Sequence, residues 1–96
     1  MEEKIFEEDT LITRNDDDFL ITEVDGESVI MNINTGNYFG LNSVSTDIWK
    51  YLETPLKFKD IIKKLTSEYE VKKETCDAET RPLLFQLLRF GIVKKS

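Results

Sequence analysis

A chain of 96 residues with 40% apolar side chains has material for one domain around one small core. No run approaches the roughly 20 apolar residues of a membrane span, and the opening Met-Glu-Glu-Lys has no apolar export signal, so neither membrane nor secretion is expected. Histidine is absent, Cys76 is the only cysteine and the net charge is −6, which excludes Ser-His-Asp and Cys-His nucleophiles, the commonest zinc sites, an internal disulfide and a basic phosphate-binding surface.

The charge is concentrated at the amino terminus. Glu2, Glu3, Glu7, Glu8, Asp9, Asp16, Asp17 and Asp18 face only Lys4 and Arg14, so residues 1–18 carry the whole net charge and the rest is neutral. Such a segment reads as an acidic, partly disordered arm, with residues 1 to about 9 dispensable for folding and 19–96 forming the domain. Within the arm, Thr10–Asn15 is a candidate strand of poor alternation, followed by a turn at Asn15–Asp18.

Phe19–Val24 is a better strand, and Asp25-Gly26 after it is a two-residue hairpin signal. Glu27 to Ile33 alternates, with Val29, Met31 and Ile33 on one face. Asn34-Thr35-Gly36 supplies a second turn, with Gly36 free to take positive φ, and Asn37–Leu41 is a short aromatic strand. Links this short cannot cross over to a parallel partner, so the three strands form an antiparallel meander.

The period then changes. Asn42 or Ser43 offers a capping oxygen, and Val44, Ile48, Tyr51 and Leu52 follow at helical spacing in a helix from Ser43 to about Glu53. The only tryptophan, Trp49, should pack between this helix and the sheet, at a cost of roughly 3–5 kcal/mol on truncation to alanine. Thr54-Pro55 stops the helix. Phe58, Ile61, Ile62, Leu65 and Tyr69 form the stripe of a second helix, which begins at Lys57 with no capping oxygen and so reads as frayed. A third helix covers Glu74–Phe90, with Pro82 inside it predicting a kink or split, and Gly91 placed as a left-handed cap before Ile92-Val93 pack back. The expected fold is α+β: a three-stranded antiparallel meander followed by three helices, like a winged helix with its sheet moved to the front.

Little here supports catalysis. Asp47, Asp60, Glu68, Asp77 and Glu79 fall at solvent-facing or cap-like helix positions, which reads as a solvated face rather than an acid/base pair. Cys76 near a helix start reads as a packing residue. No enzyme, cofactor or metal site is expected. Binding is better supported. The last strand of the meander is an edge, and edges are normally protected by charge, proline or a bulge. This edge has Asn37, Tyr38, Phe39, Gly40 and Leu41, with no charge, and Gly40 leaves room for a second backbone. Either helix three or the arm covers the edge, or a peptide adds to it as a strand.

Asn-Tyr-Phe-Gly-Leu-Asn at 37–42, Ile48-Trp49, Ile61-Ile62 with Leu65 and Tyr69, then Leu83-Leu84 with Leu87 and Gly91-Ile92-Val93, resemble in order and spacing the PqqD-like family of leader-recognition domains from ribosomal peptide natural-product pathways. Tyr-Phe-Gly-Leu-Asn and Glu-Thr-Cys at 74–76 are most similar to the stand-alone leader-binding proteins of lasso-peptide clusters. The resemblance implies a non-catalytic, monomeric, cytoplasmic adaptor. The leader of a precursor peptide would add as a strand to Asn37–Leu41 and pack on Cys76, Glu79, Thr80, Leu83, Leu84 and Leu87. The adaptor would present the precursor to a separate cysteine protease working beside an ATP-dependent macrolactam cyclase. Pro82, and Glu79-Thr80 in place of Asp and an aliphatic residue, depart from the family pattern. Two rivals use a related fold: a peptide chaperone for a radical-SAM maturase, as in pyrroloquinoline quinone synthesis, and a winged-helix DNA-binding regulator, which the neutral folded part disfavours.

Overall fold

The computed structural model describes residues 5–25 and 27–96. Among these residues six strands and three helices follow in chain order: β1 (Leu11–Arg14), β2 (Phe19–Val24), β3 (Glu27–Asn32), β4 (Tyr38–Leu41), α1 (Ser43–Tyr51), β5 (Leu56–Lys57), α2 (Phe58–Glu68), α3 (Lys73–Arg89) and β6 (Val93–Lys95). Strands β2, β3 and β4 form the expected antiparallel meander, in register from Phe19↔Asn32 and from Met31↔Tyr38. The turn between β3 and β4 closes with the Gly36 amide donating to the Asn32 carbonyl, and Gly36 takes φ +80°. At the other hairpin Asp25 takes φ 52°; Gly26 lies outside the described residues.

A second sheet was not expected. Strand β1 lies at its centre, with β5 on one side and β6 on the other, both antiparallel. Thr10–Asn15 therefore does contain a strand, but one that joins the ends of the helical half rather than the meander. Buried Asn15 reinforces the seam. Its backbone amide donates to the Ile92 carbonyl at 2.9 Å and its side-chain amide to the Gly91 carbonyl at 3.0 Å.

The expectation of a loose acidic arm through residue 18 fails for residues 5–18; residues 1–4 of it lie outside the described residues. Phe6 is fully buried and stacks on Phe58 with ring centroids 5.9 Å apart. The Arg81 guanidinium lies over the other ring, Phe58, and donates to the Phe6 carbonyl. The start of α2 is not frayed either. Lys57 provides no side-chain cap, but the Phe58 and Lys59 amides donate to the carbonyls of Thr10 and Glu8 at 2.9 and 3.0 Å. Two orphan donors of the helix are thus satisfied by the backbone of the amino-terminal segment. Asp9 lies beside Lys59 and Lys57, and the Lys59 ammonium holds its carboxyl below the usual range. Among the described acids of this segment, Asp9 pairs with the helix that the segment caps.

The helices otherwise follow their sequence patterns. Asn42 caps α1 through its side-chain oxygen on the Ser45 amide. Trp49 is buried, with the Arg14 guanidinium over its ring. Helix α2 buries Phe58, Ile61, Ile62 and Leu65, one face at helical spacing. Helix α3 runs unbroken through Pro82, so of the expected kink or split the split does not occur. Pro82 and Ala78, whose carbonyl loses its partner, are both exposed, so water can satisfy that group. The helix ends as expected: Gly91 takes φ +78°, its amide donates to Leu88, and the Ile92 amide donates to Leu87. This pair of bonds is a Schellman ending, which turns the chain back into β6.

Phe6→Ala should cost about 3–5 kcal/mol, a large share of the roughly 5–15 kcal/mol that stabilises a small domain. Urea denaturation of this variant, and of a chain lacking residues 1–9, should show large losses. A midpoint unchanged on deletion would mean that the segment is an ornament on the fold.

Candidate peptide-binding groove

The site begins with the hydrogen-bonding parity of β4. The Asn32 amide donates to the Asn37 carbonyl at 2.8 Å. In an antiparallel ladder, bonded pairs alternate, so Ile30–Phe39 and Ser28–Leu41 are the next bonded pairs. The amides and carbonyls of Tyr38 and Gly40 then point away from β3. Among the described residues no strand pairs with that side of β4. Among the described residues neither the amino-terminal segment, which lies against α2, nor α3, which stands across a gap, covers the edge.

That gap is an apolar groove with two adjoining parts. The first, a cavity of about 270 Å³, lies between Phe39, Gly40 and Leu41 on the strand and Leu83 and Leu87 on α3, with Phe90 at that helix's end. The second, of about 460 Å³, continues along α3 past Leu83 to Thr80, Glu79 and Cys76, with Val44, Tyr69 and Val71 opposite. Asn42 and Leu83 line both parts. At one end Phe39 and Phe90 meet with ring centroids 4.9 Å apart and bridge strand and helix. At the other end the Tyr69 hydroxyl donates to Asp47. The Asp47 carboxylate raises the Tyr69 pKa above its ordinary value, so this tie between α1 and the end of α2 holds at neutral pH.

Eight of the eleven residues expected at the site line the groove: Phe39, Gly40, Leu41, Cys76, Glu79, Thr80, Leu83 and Leu87. Cys76 and Thr80 are floor rather than wall, being 5% and 3% exposed, with the sulfur 3.8 Å from the Thr80 hydroxyl. Three do not line it. Leu84 is fully buried, because the step from Leu83 turns it by about 100° into the core. Tyr38 is 72% exposed and alternates onto the outer face of the sheet, where only its backbone serves the edge. The Asn37 carbonyl is spent on the hairpin. Sequence reasoning missed Phe90, Tyr69, Val71 and Val44 as lining residues. Phe90 was within reach, since it lies seven residues after Leu83 on the same helical face. Val71 was not, because it sits in a connection with no periodicity.

Among the described residues no group of His, Cys, Asp and Glu could hold a metal ion, and no helix is long and apolar enough to cross a membrane. The carboxylates expected to be solvated are partly engaged: Asp47 accepts from Tyr69, and Asp77 pairs with Arg81.

Fold and groove together define a class: a small α+β domain whose meander edge and last helix frame an open apolar channel. The chain belongs to the PqqD family; the family profile described as coenzyme PQQ synthesis protein D matches residues 27–93. Its fold is similar to a solved structure of TbiB1 in complex with the TbiA(beta) leader peptide, with TM-score 0.73 and 28% identity over 84% of this chain and 93% of that one. No curated protein matches the chain.

The placement of neighbouring leucines can be tested directly. Leu84→Ala should cost about 2–5 kcal/mol in urea denaturation, whereas Leu83→Glu, at a half-exposed position, should leave a folded domain with a native circular dichroism spectrum. Equal destabilisation by the two would mean that the groove face of α3 has been assigned to the wrong residues.

Proposed function

We propose that this protein is a non-catalytic adaptor that binds the leader region of a ribosomally made precursor peptide. The leader adds as a strand along Tyr38–Leu41, taking up the outward amides and carbonyls of Tyr38 and Gly40. Its inward side chains occupy the groove on α3, with Leu83, Leu87 and Phe90 at one end and Thr80 and Cys76 at the floor of the other. The observation that carries this reading is the unpaired, uncharged edge of β4 facing a continuous apolar channel. Main-chain bonds give affinity with little sequence demand, and the channel reads alternate side chains. The bound leader peptide of the TbiB1 structure supports the same assignment here.

In the finer reading the pathway makes a lasso peptide, and the adaptor presents the precursor to a separate cysteine protease acting beside an ATP-dependent macrolactam cyclase. A second reading keeps the adaptor and changes the enzyme it serves to a radical-SAM maturase. The description of the matching family as a coenzyme PQQ synthesis protein favours that alternative. Reconstitution with each class of enzyme separates the two, because only the true partner should process its precursor faster when the adaptor is present.

Gly40→Pro provides the direct test of strand addition. Its amide faces the open edge, so proline removes a donor needed by the peptide and none needed by β3, and proline is tolerated on edge strands. Leader affinity, measured by fluorescence anisotropy, should fall about tenfold or more with little change in stability. Gly40→Ala, whose added methyl group meets nothing within 4 Å and which keeps the amide, should bind far better than the proline variant. A folded Gly40→Pro protein that binds like the parent would rule out pairing at this strand.

A further inference from the structure

The groove is apolar along its walls and acidic at one lip. Glu70, in the connection before α3, and Glu79, on α3, both line its larger part, and both are exposed. Neither takes part in an ion pair or hydrogen bond among the described residues. No lysine or arginine lines either part of the groove. The cations nearest in sequence are Lys72 and Lys73 after Glu70 and, after Glu79, Arg81, which pairs with Asp77. Lys73 instead lines a separate hollow with Lys59 and Lys63. Two neighbouring helix acids have partners, Asp77 in Arg81 and Asp47 in Tyr69. Among the described residues two carboxylates are therefore left without a partner of opposite charge in the part of the channel that runs on beyond the end of β4.

From this charge pattern we infer that the peptide held in the groove carries a lysine or arginine two positions from an apolar anchor, on the same side of the strand, with the cation at the Glu70–Glu79 lip. The inference rests on the strand-addition reading and adds the chemistry of the occupant. Its spacing comes from geometry. Glu79 precedes Leu83 by four residues, which is about 6 Å along a helix. Two strand residues advance about 6.6 Å and return to the same face. An apolar side chain resting on Leu83 thus places the side chain two positions along the strand beside Glu79. A long cationic side chain suits that place, because its stem lies on Val71 and Val44 while its charged head reaches the lip in water. A glutamate at the same position would meet two like charges.

The test is selection of binders from a displayed library of random peptides with the full-length protein. The expected result is enrichment of lysine or arginine two positions from an apolar residue. Replacing that cation by glutamine in a selected peptide should weaken binding about two- to tenfold, as should Glu70→Gln with Glu79→Gln in the protein. The two losses should not add, and raising salt should shrink both. Binders that map to β4 by amide shifts but show no basic preference, or are indifferent to the double substitution, would overturn the inference and leave the adaptor reading standing. A library that yields no binder at the β4 edge would overturn both.

Discussion

Strand β1 holds the two ends of the helical half together. On one side it pairs with β5, which leads directly into α2; on the other it pairs with β6, into which α3 returns. The seam continues through Asn15 to the Gly91 and Ile92 carbonyls, so the exit of α3 is tied by backbone and side chain alike. The groove exists because α3 stands off from β4 at a set distance. That distance depends on where α3 is anchored, and its exit is held on β1 through β6, while β5 holds the start of α2 on the other side of the same strand.

The same seam explains why the acidic amino-terminal segment is structural. A helix start without a side-chain cap leaves several amides unsatisfied, and α2 has Lys57 at that place. The carbonyls of Glu8 and Thr10 supply the partners, and Phe6 packs on Phe58 at the first turn. Burial of one aromatic ring is worth more than the electrostatic preference of several exposed acids for water-facing disorder. Asp9, beside Lys57 and Lys59, shows the acids accommodated at the surface of this packed segment.

Open edges are hazards in most folds, and here the hazard is confined. The outward donors of β4 are few, since the strand has four residues, and a helix wall limits what can approach. Phe39 and Phe90 close one end by ring contact. β4 itself carries no charge, and the only acids lining the groove, Glu70 and Glu79, stand at the far lip.

The meander, the stripe of α2, the cap at Asn42 and the ending at Gly91 were all legible in the sequence, because each is decided by neighbours a few residues apart: alternation, helical period, a turn glycine, a side-chain oxygen. The strand edge was legible for the same reason, whereas the groove residues of α3 came from the family resemblance. The place of Phe6, the second sheet around Thr10–Asn15, the intact helix at Pro82 and the division between Leu83 and Leu84 were not. A charged segment looks disordered until a distant helix start needs its carbonyls. A poor strand looks like a loop until two short partners arrive from residues 56 and 93. A proline inside a helix costs less when the carbonyl it frees reaches water, and that access is a property of the assembled surface. Local chemistry in the sequence by itself determined which elements form and that β4 would be uncharged. Only the tertiary structure decided which of them meet and that β4 would be left open beside a groove, because those outcomes depend on contacts between segments far apart in the chain.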